Sequence, residues 1–558
     1  MNNVSRKIGG GMQCDKAKMR VRAAGGFMLL LLLAACTTGP DYHRPALNPP
    51  PGYKSAFADG TSGGESAEPG LGQDWWRLFN DPELNALIEE ALEANQDLKA
   101  AMARVAQSRA SARAVKSSFF PVVTLDPSAT RSRTPGADTS GDSTSDKLSE
   151  VSSVINQVSS IVGQINSLTQ GGATSNPSAG GSSQNAASLG DTSIGATASN
   201  RFQIPFDLSY EIDIWGRVRR SYESAKAQAQ ASIYDLEVVR QTLLADLVRN
   251  YFNLRSFDAQ YEILTRNLDL YQEQVDLIGF QYKAGLINET NLLQATVQLE
   301  STRTQAADIQ RQRTDLEHAI AILLGRAPAE FSLDVRPLNT TPLVIPAGLP
   351  ADLLRQRPDV AEAEQNLVAA SAEIGVAKAD FFPAVKLTGS AGFQSADIKN
   401  VLDWRNLAWS VGPSVSLPIF KGGQLRASLR KAKARYDELE ATYRNKVLSA
   451  FVDVEDSLTD LHMRADAAES QAKAVAAARE YLRLTQIQYE TGVTDYLHVV
   501  NAEQTLLTNE LSEAQILNQR MVSTVLLIKA LGGGWDSQPS APTEGANPLH
   551  TATAGPEQ

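Results

Sequence analysis

The sequence predicts a mainly α-helical protein with a membrane β-barrel, built by duplication of a unit that joins two β-strands to long coiled-coil helices. Three observations predict it. Gln281-Tyr282-Lys283-Ala284-Gly285 is echoed 207 residues later by Gln488-Tyr489-Glu490-Thr491-Gly492, and Leu324-Gly325 by Leu531-Gly532 at the same separation. Apolar residues between these landmarks recur every seven positions, the seam of a coiled coil. Apolar and polar residues alternate from Phe202 to Ile214, the period of a strand with one apolar face.

The N-terminus reads as an export signal. Lys16, Lys18, Arg20 and Arg22 precede an uncharged run that ends in Leu33-Ala34-Ala35-Cys36. A basic start, a short apolar run and small residues at a boundary mark a secretory signal peptide, too short for a membrane span. Small residues directly before Cys36 are similar to a bacterial lipobox, in which the Cys becomes the lipidated first residue. Removing residues 1–35 takes six basic residues and Asp15, so the net charge falls from −11 to −16, and Cys14 leaves with them.

Composition excludes several classes. The 558 residues hold 2 Cys, which rules out a disulfide framework and a Cys-rich zinc module. The 5 His (His43, His318, His462, His498, His550) are scattered, giving a metal site no local support. An acidic chain is a poor fit to nucleic acid, which needs a basic surface. No phosphate-binding loop, nucleophile elbow or zinc-protease motif is present, so neither enzyme chemistry nor a cofactor is expected.

The two halves differ by one insertion. Phe119-Phe120-Pro121 matches Phe381-Phe382-Pro383 at a separation of 262, so the first half carries 55 extra residues. They fall in 131–200, which is rich in Ser, Gly, Thr and Asn, a loop composition. Within it, Val151, Val154, Ile155, Val158, Ile161, Val162 and Ile165 keep helical spacing.

The helices are long. Leu247, Leu254, Tyr261, Leu268, Val275 and Tyr282 form one seven-residue series, and Phe257, Leu264, Tyr271 and Ile278 a second. Val454, Leu461, Ala468, Val475, Leu482 and Tyr489 occupy the matching places of the second unit. Arg219 to Gln281, 63 residues without Pro and with Gly only at 279, would span about 95 Å as a helix. Tyr282, Gly285, Tyr489 and Gly492 then mark helix-tip turns.

The strands come next. Phe202, Ile204, Phe206, Leu208, Tyr210, Ile212 and Ile214 face one way, while the intervening residues include three carboxylates. Such a strand separates lipid from water, and its length suits a membrane span. Val385–Thr388 and Val411–Phe420 show the same habit. Two strands per unit make four per chain. Four strands cannot close a barrel, and an open edge in lipid leaves backbone groups unpaired, so either these strands never enter a membrane or several chains pool them, which predicts an oligomer.

Five segments carry a resemblance to a known family. They are Cys36-Thr37-Thr38-Gly39-Pro40-Asp41-Tyr42 with Arg44-Pro45; Trp75-Trp76-Arg77-Leu78-Phe79 with Asp81-Pro82-Glu83-Leu84; Ser209 to Arg220; Arg357-Pro358-Asp359-Val360 running on to Phe381-Phe382-Pro383; and Ser416-Leu417-Pro418-Ile419-Phe420 with Gly422-Gly423. Together they resemble the outer-membrane efflux proteins of TolC type, and within them the NodT-like lipoproteins of multidrug efflux systems.

The resemblance implies a homotrimer with one 12-stranded barrel in the outer membrane and a periplasmic α-helical tunnel below it. It implies as partners a periplasmic adaptor (membrane fusion) protein and an inner-membrane transporter of the resistance–nodulation–division class. The function it implies is a passive exit duct for small molecules such as drugs, gated at the periplasmic helix tips. Related channels carry an apolar ring and an acidic ring five and nine residues after the second tip glycine, places held here by Leu497 and Asn501. Asn501 departs from the acidic pattern, and His498 lies between the two as a third gate candidate. The expected organisation is a signal peptide (1–35), a lipidated segment (36–72), a first repeat (73–330, with 131–200 as an extracellular loop), a second repeat (331–535) and a disordered tail (536–558). A type I secretion or metal-efflux duct of the same family, or a pore-less periplasmic coiled-coil scaffold lipoprotein, are the competing readings.

Overall fold

The computed structural model describes residues 38–47, 49–54, 72–134, 197–338, 342–343 and 356–535. Cys36, the signal segment, the helical pattern at 151–165 and the tail from 536 lie outside the described residues. The described residues fall into two compact units, one drawn from Met1–Phe120, Glu211–Val385 and Val415–Gln558, the other from Pro121–Tyr210 and Lys386–Ser414.

The first unit is helical. It contains α1 (Pro82–Ala94), α2 (Gln96–Lys116), α3 (Arg217–Lys283), α4 (Glu289–Leu323), α5 (Pro358–Ala379), α6 (Gln424–Glu490) and α7 (Tyr496–Ala530). Helices α3 and α6 are each 67 residues long, and α4 and α7 each 35. Every boundary of α6 and α7 lies 207 residues beyond its counterpart in α3 and α4, so the sequence echo is an echo of whole elements. A helix of 67 residues spans about 100 Å. No helix among the described residues is long and apolar enough to cross a membrane.

The seam residues are where the core lies. Leu247, Leu254, Leu264, Tyr271 and Ile278 of α3 are buried, as are Val454 and Val475 of α6. A wide core forms where α1 meets the long helices: Trp76, Phe79 and Ile88 pack against Leu247, Tyr251 and Phe252 of α3, Ile320 of α4 and Val525 of α7. Phe79 meets Phe252 edge to face at 4.9 Å, a favoured aromatic geometry. The Asp81 carboxylate accepts the Glu83 and Leu84 backbone N–H groups at the start of α1 and also the Tyr251 hydroxyl at 2.5 Å.

The second unit is a sheet of β1 (Val122–Leu125), β2 (Ser128–Thr134), β3 (Thr197–Ile212), β4 (Ala384–Ser395) and β5 (Leu407–Ser416), in the order β1-β3-β4-β5 with β2 also on β3. β1 and β2 are two stretches of one line of pairing. Leu125 opposes Phe206 and Ser128 opposes Gln203 in an unbroken antiparallel register. The interruption falls at Pro127, which has no N–H to give to a ladder. The sheet is therefore effectively four-stranded, with the β1/β2 line and β5 at its edges among the described residues.

Three expectations need correction. Ile214 is not in the strand: β3 ends at Ile212, where the Ile214 N–H turns back onto the Ile212 carbonyl. The Asp213 carboxylate then accepts the Val218 and Arg219 N–H groups at 3.0 and 2.9 Å and starts α3. β3 also begins at Thr197, and β2 runs to Thr134, so strand residues occupy both ends of the stretch expected to be all loop. The last strand is Leu407–Ser416 rather than 411–420, because Pro418 cannot donate to a ladder.

The faces follow the pleat. A Cβ on Gly389 would meet Leu208 Cβ at 3.8 Å and Val411 Cγ2 at 3.7 Å, so these three positions share one face. That face carries Phe202, Ile204, Phe206 and Leu208 of β3 and Leu407, Trp409, Val411 and Val415 of β5. Many of them are exposed in the chain, Trp409 and Val411 by 73% and 65%. Soluble proteins rarely display such a surface.

Candidate functional site

The two helix tips are built alike. Gly285 and Gly492 both have φ +73°, the left-handed conformation that L side chains avoid. In the first tip the Gly285 N–H donates to the Tyr282 carbonyl and the Leu286 N–H to the Gln281 carbonyl, both at 2.9 Å. In the second, Gly492 donates to Tyr489 at 3.0 Å and Val493 to Gln488 at 2.8 Å. This double bond pattern ends a helix by satisfying its last carbonyls. Nothing lies within 4 Å of a Cβ at either glycine, so it is the backbone angle that requires glycine.

Side chains that sequence reasoning passed over, Gln274, Tyr496, Glu503 and Glu510, join the tips. Ile278 of α3 and Ala295 of α4 pack with Tyr496, Val499 and Val500 of α7. The Tyr496 hydroxyl donates to Gln274 Oε1 at 3.1 Å, and the Gln274 amide in turn donates to Glu503. One turn-pair further, Glu510 accepts from Arg266 of α3 at 2.7 Å and Arg479 of α6 at 3.0 Å. The available signal was that Tyr496, Glu503 and Glu510 stand seven apart, two carboxylates in register with a buried aromatic ring.

Burial sets the electrostatics here. Removal from water pushes the Glu503 carboxyl up to about 6, against the lowering effect of the Gln274 amide. The same cause pushes the Tyr271 hydroxyl up to about 12 and raises Tyr496 as well. Glu503, Tyr271 and Gln274 line a cavity of about 390 Å³ that Arg266, Arg479 and Glu510 also border.

The gate candidates sit on the outside of this join. Leu497 is 43% exposed, and His498 and Asn501 are exposed too. Leu497 and Asn501 are one helical turn apart, facing away from the buried Tyr496, Val499 and Val500. Asp495 caps α7 by accepting the His498 backbone N–H, and its carboxylate also meets His498 Nδ1 at 2.6 Å. That hydrogen bond holds the Asp495 carboxyl below its usual range. Within one chain these side chains touch no counterpart across an axis. Of the turn residues, Tyr489 packs against Tyr496 at 5.7 Å, whereas Tyr282 is exposed. Among the described residues no group of three or more His, Cys, Asp or Glu is placed to hold a metal ion.

The family model for outer membrane efflux proteins matches residues 87–156, 167–326 and 349–533. The chain belongs to the outer membrane efflux protein family. The solvent efflux pump outer membrane protein SrpC of Pseudomonas putida is 31% identical over 511 residues, covering 91% of this chain and 97% of that protein. The pyoverdine export outer membrane protein OpmQ of Pseudomonas aeruginosa is 31% identical over 510 residues, covering 91% of this chain and 96% of that protein. Among solved structures, the outer-membrane channel OprN matches at TM-score 0.74 and 31% identity, over 90% of this chain and 100% of that one. This outer membrane efflux protein is thus a channel component of efflux in the outer membrane.

Proposed function

We propose that three copies of this chain pool their strands into one 12-stranded barrel and form a passive exit duct for small organic molecules, with no chemistry of its own. The observation that carries this is the sheet: four effective strands, two open edges and one apolar face. A sheet of this kind is stable in lipid only if neighbouring copies pair its edges. The apolar face from Phe202 to Ile212 runs about 33 Å along the strand, which a tilt of ~40° projects to about 25 Å, the height of a lipid-facing band. Relatives named for solvent, toluene, antibiotic and pyoverdine export support small organic cargo.

In this reading a periplasmic adaptor and an inner-membrane transporter of the resistance–nodulation–division class deliver cargo at the tips. Lipid on Cys36 adds a second membrane attachment. Three Leu497 side chains converging on the axis make an apolar constriction that dewets and blocks ions, with His498 and Asn501 on the same exposed surface of α7. Opening moves one hairpin against the other, and so works against the Tyr496–Gln274–Glu503 join.

The test is complementation. Expressed with its adaptor and transporter in a strain lacking outer-membrane efflux ducts, the chain should lower the accumulation of a fluorescent transporter substrate. Accumulation unchanged, with the protein folded in the outer membrane, contradicts the duct.

A further inference from the structure

The apolar face of the sheet carries two charges, and both are at one end. Directly paired residues share a face. The register sets Val123 opposite Leu208, Leu125 opposite Phe206 and Ala129 opposite Phe202, then Arg131 opposite Asn200 and Arg133 opposite Ala198. The two arginines therefore continue the apolar face past the point where its apolar residues stop. Every other described strand position on that face is uncharged. The carboxylates Asp126, Asp207 and Glu211 fall on the opposite face.

Position and chemistry agree. Arg131 and Arg133 are exposed, and they lie two and four residues beyond Ala129, about 7 and 14 Å along the strand. A charge within the band of acyl chains is costly, and that cost fades at the interface. Both arginines pair with the first residues of β3, the end of that strand remote in sequence from the start of α3. Arginine presents a planar fork that matches phosphate oxygens two at a time. The second repeat has Phe393 and Ser395 at the equivalent places, 262 residues on, so each chain has one such pair.

We propose that Arg131 and Arg133 bind the phosphate groups of lipid headgroups in the outer leaflet. The proposal rests on the reading that the Phe202 face meets lipid. It gives the barrel a charged collar that fixes its depth, where the apolar band alone would let it slide.

The test uses the full-length chain in detergent, with native mass spectrometry to count bound diphosphorylated lipid A. The wild type retains it. Arg131→Gln with Arg133→Gln weakens retention about twenty-five-fold, two headgroup contacts worth a factor of about five each. Arg131→Lys with Arg133→Lys keeps most of it, which separates charge from misfolding. Dephosphorylated glycolipid is retained by neither form, and excess inorganic phosphate does not displace lipid A. Equal retention by the glutamine form, equal retention of dephosphorylated glycolipid, or displacement by inorganic phosphate overturns the proposal. A benzophenone photoprobe at Phe206 tests the underlying reading separately. Acyl-chain adducts with no arginine dependence defeat the headgroup site alone, whereas no lipid adducts at all defeat the lipid-facing sheet.

Discussion

Gln274 of α3 donates a hydrogen bond to one carboxylate oxygen of Glu503 on α7, and the other oxygen has no hydrogen-bond partner among the described residues. A buried carboxylate satisfied on one side only is costly to ionise. With the folded value near 6 and the unfolded reference at 4.5, the folded state binds this proton more tightly. Its stabilising effect is full below about pH 4.5 and is lost as pH rises through 6. Glu503→Gln should therefore raise stability at pH 7.5 by about 2 kcal/mol and flatten the pH dependence across that window. Thermal unfolding in detergent at a series of pH values checks this. An unchanged slope in the glutamine variant contradicts it.

A second buried group holds the helical unit together at its wide core. Asp258 is fully buried and accepts from Arg313 Nε at 2.6 Å, Arg255 Nη1 at 2.8 Å and the Arg336 backbone N–H at 3.1 Å. Asp258→Ala would leave Arg255 with Glu83 and Arg313 with Glu317 as their remaining carboxylate partners while removing three buried hydrogen bonds, at a cost of about 3 kcal/mol. The unfolding midpoint and the yield of folded protein should both fall sharply. A midpoint within a degree or two of the wild type would show that the network is not stabilising the unit in this way.

The tip glycines carry a strain prediction. Gly492→Ala forces an L side chain to φ +73° without any steric clash, and should cost about 1–2 kcal/mol. Gly492→Asn should cost less, because asparagine tolerates that angle better. Gly285→Ala and Gly285→Asn should behave alike, since the two turns share their angle and hydrogen bonds. Chemical denaturation of the four variants reads this directly. Equal effects of alanine and asparagine would shift the cause away from the backbone.

The parts of the fold legible in advance were those written as a period. Seven-residue spacing located the seam because Leu264, Tyr271 and Ile278 are buried by one face of a single long helix. The 207-residue echo was a few residues in sequence but proved to be helices of identical length. What escaped were features that do not repeat. The strand could not be ended at Ile212 from alternation, because Ile214 keeps the pattern while its N–H turns back. The start of β3 at Thr197 was hidden in Ser, Gly and Thr, where backbone pairing and not side-chain polarity makes the strand. At the tips, Leu497 is a gate candidate only through the family likeness. Glu503 was missed because a carboxylate at a seam position looks like a solvated face until its neighbours are known.

The gate reading predicts a leak. Leu497→Ser replaces an apolar side chain, 43% exposed in one chain, by a hydroxyl that a water column can wet. Planar-bilayer conductance should rise, and cells should become sensitive to large antibiotics that the outer membrane normally excludes. Conductance and sensitivity at wild-type levels would place the constriction elsewhere.

The account turns on the sheet being one third of a shared barrel. The mass of the detergent-solubilised particle, measured with the full-length chain in its folded state, tests this most directly. Three chains per particle, resistant to SDS until heated, is the predicted result. A folded particle of a single chain, keeping its strands with both edges open, would contradict it.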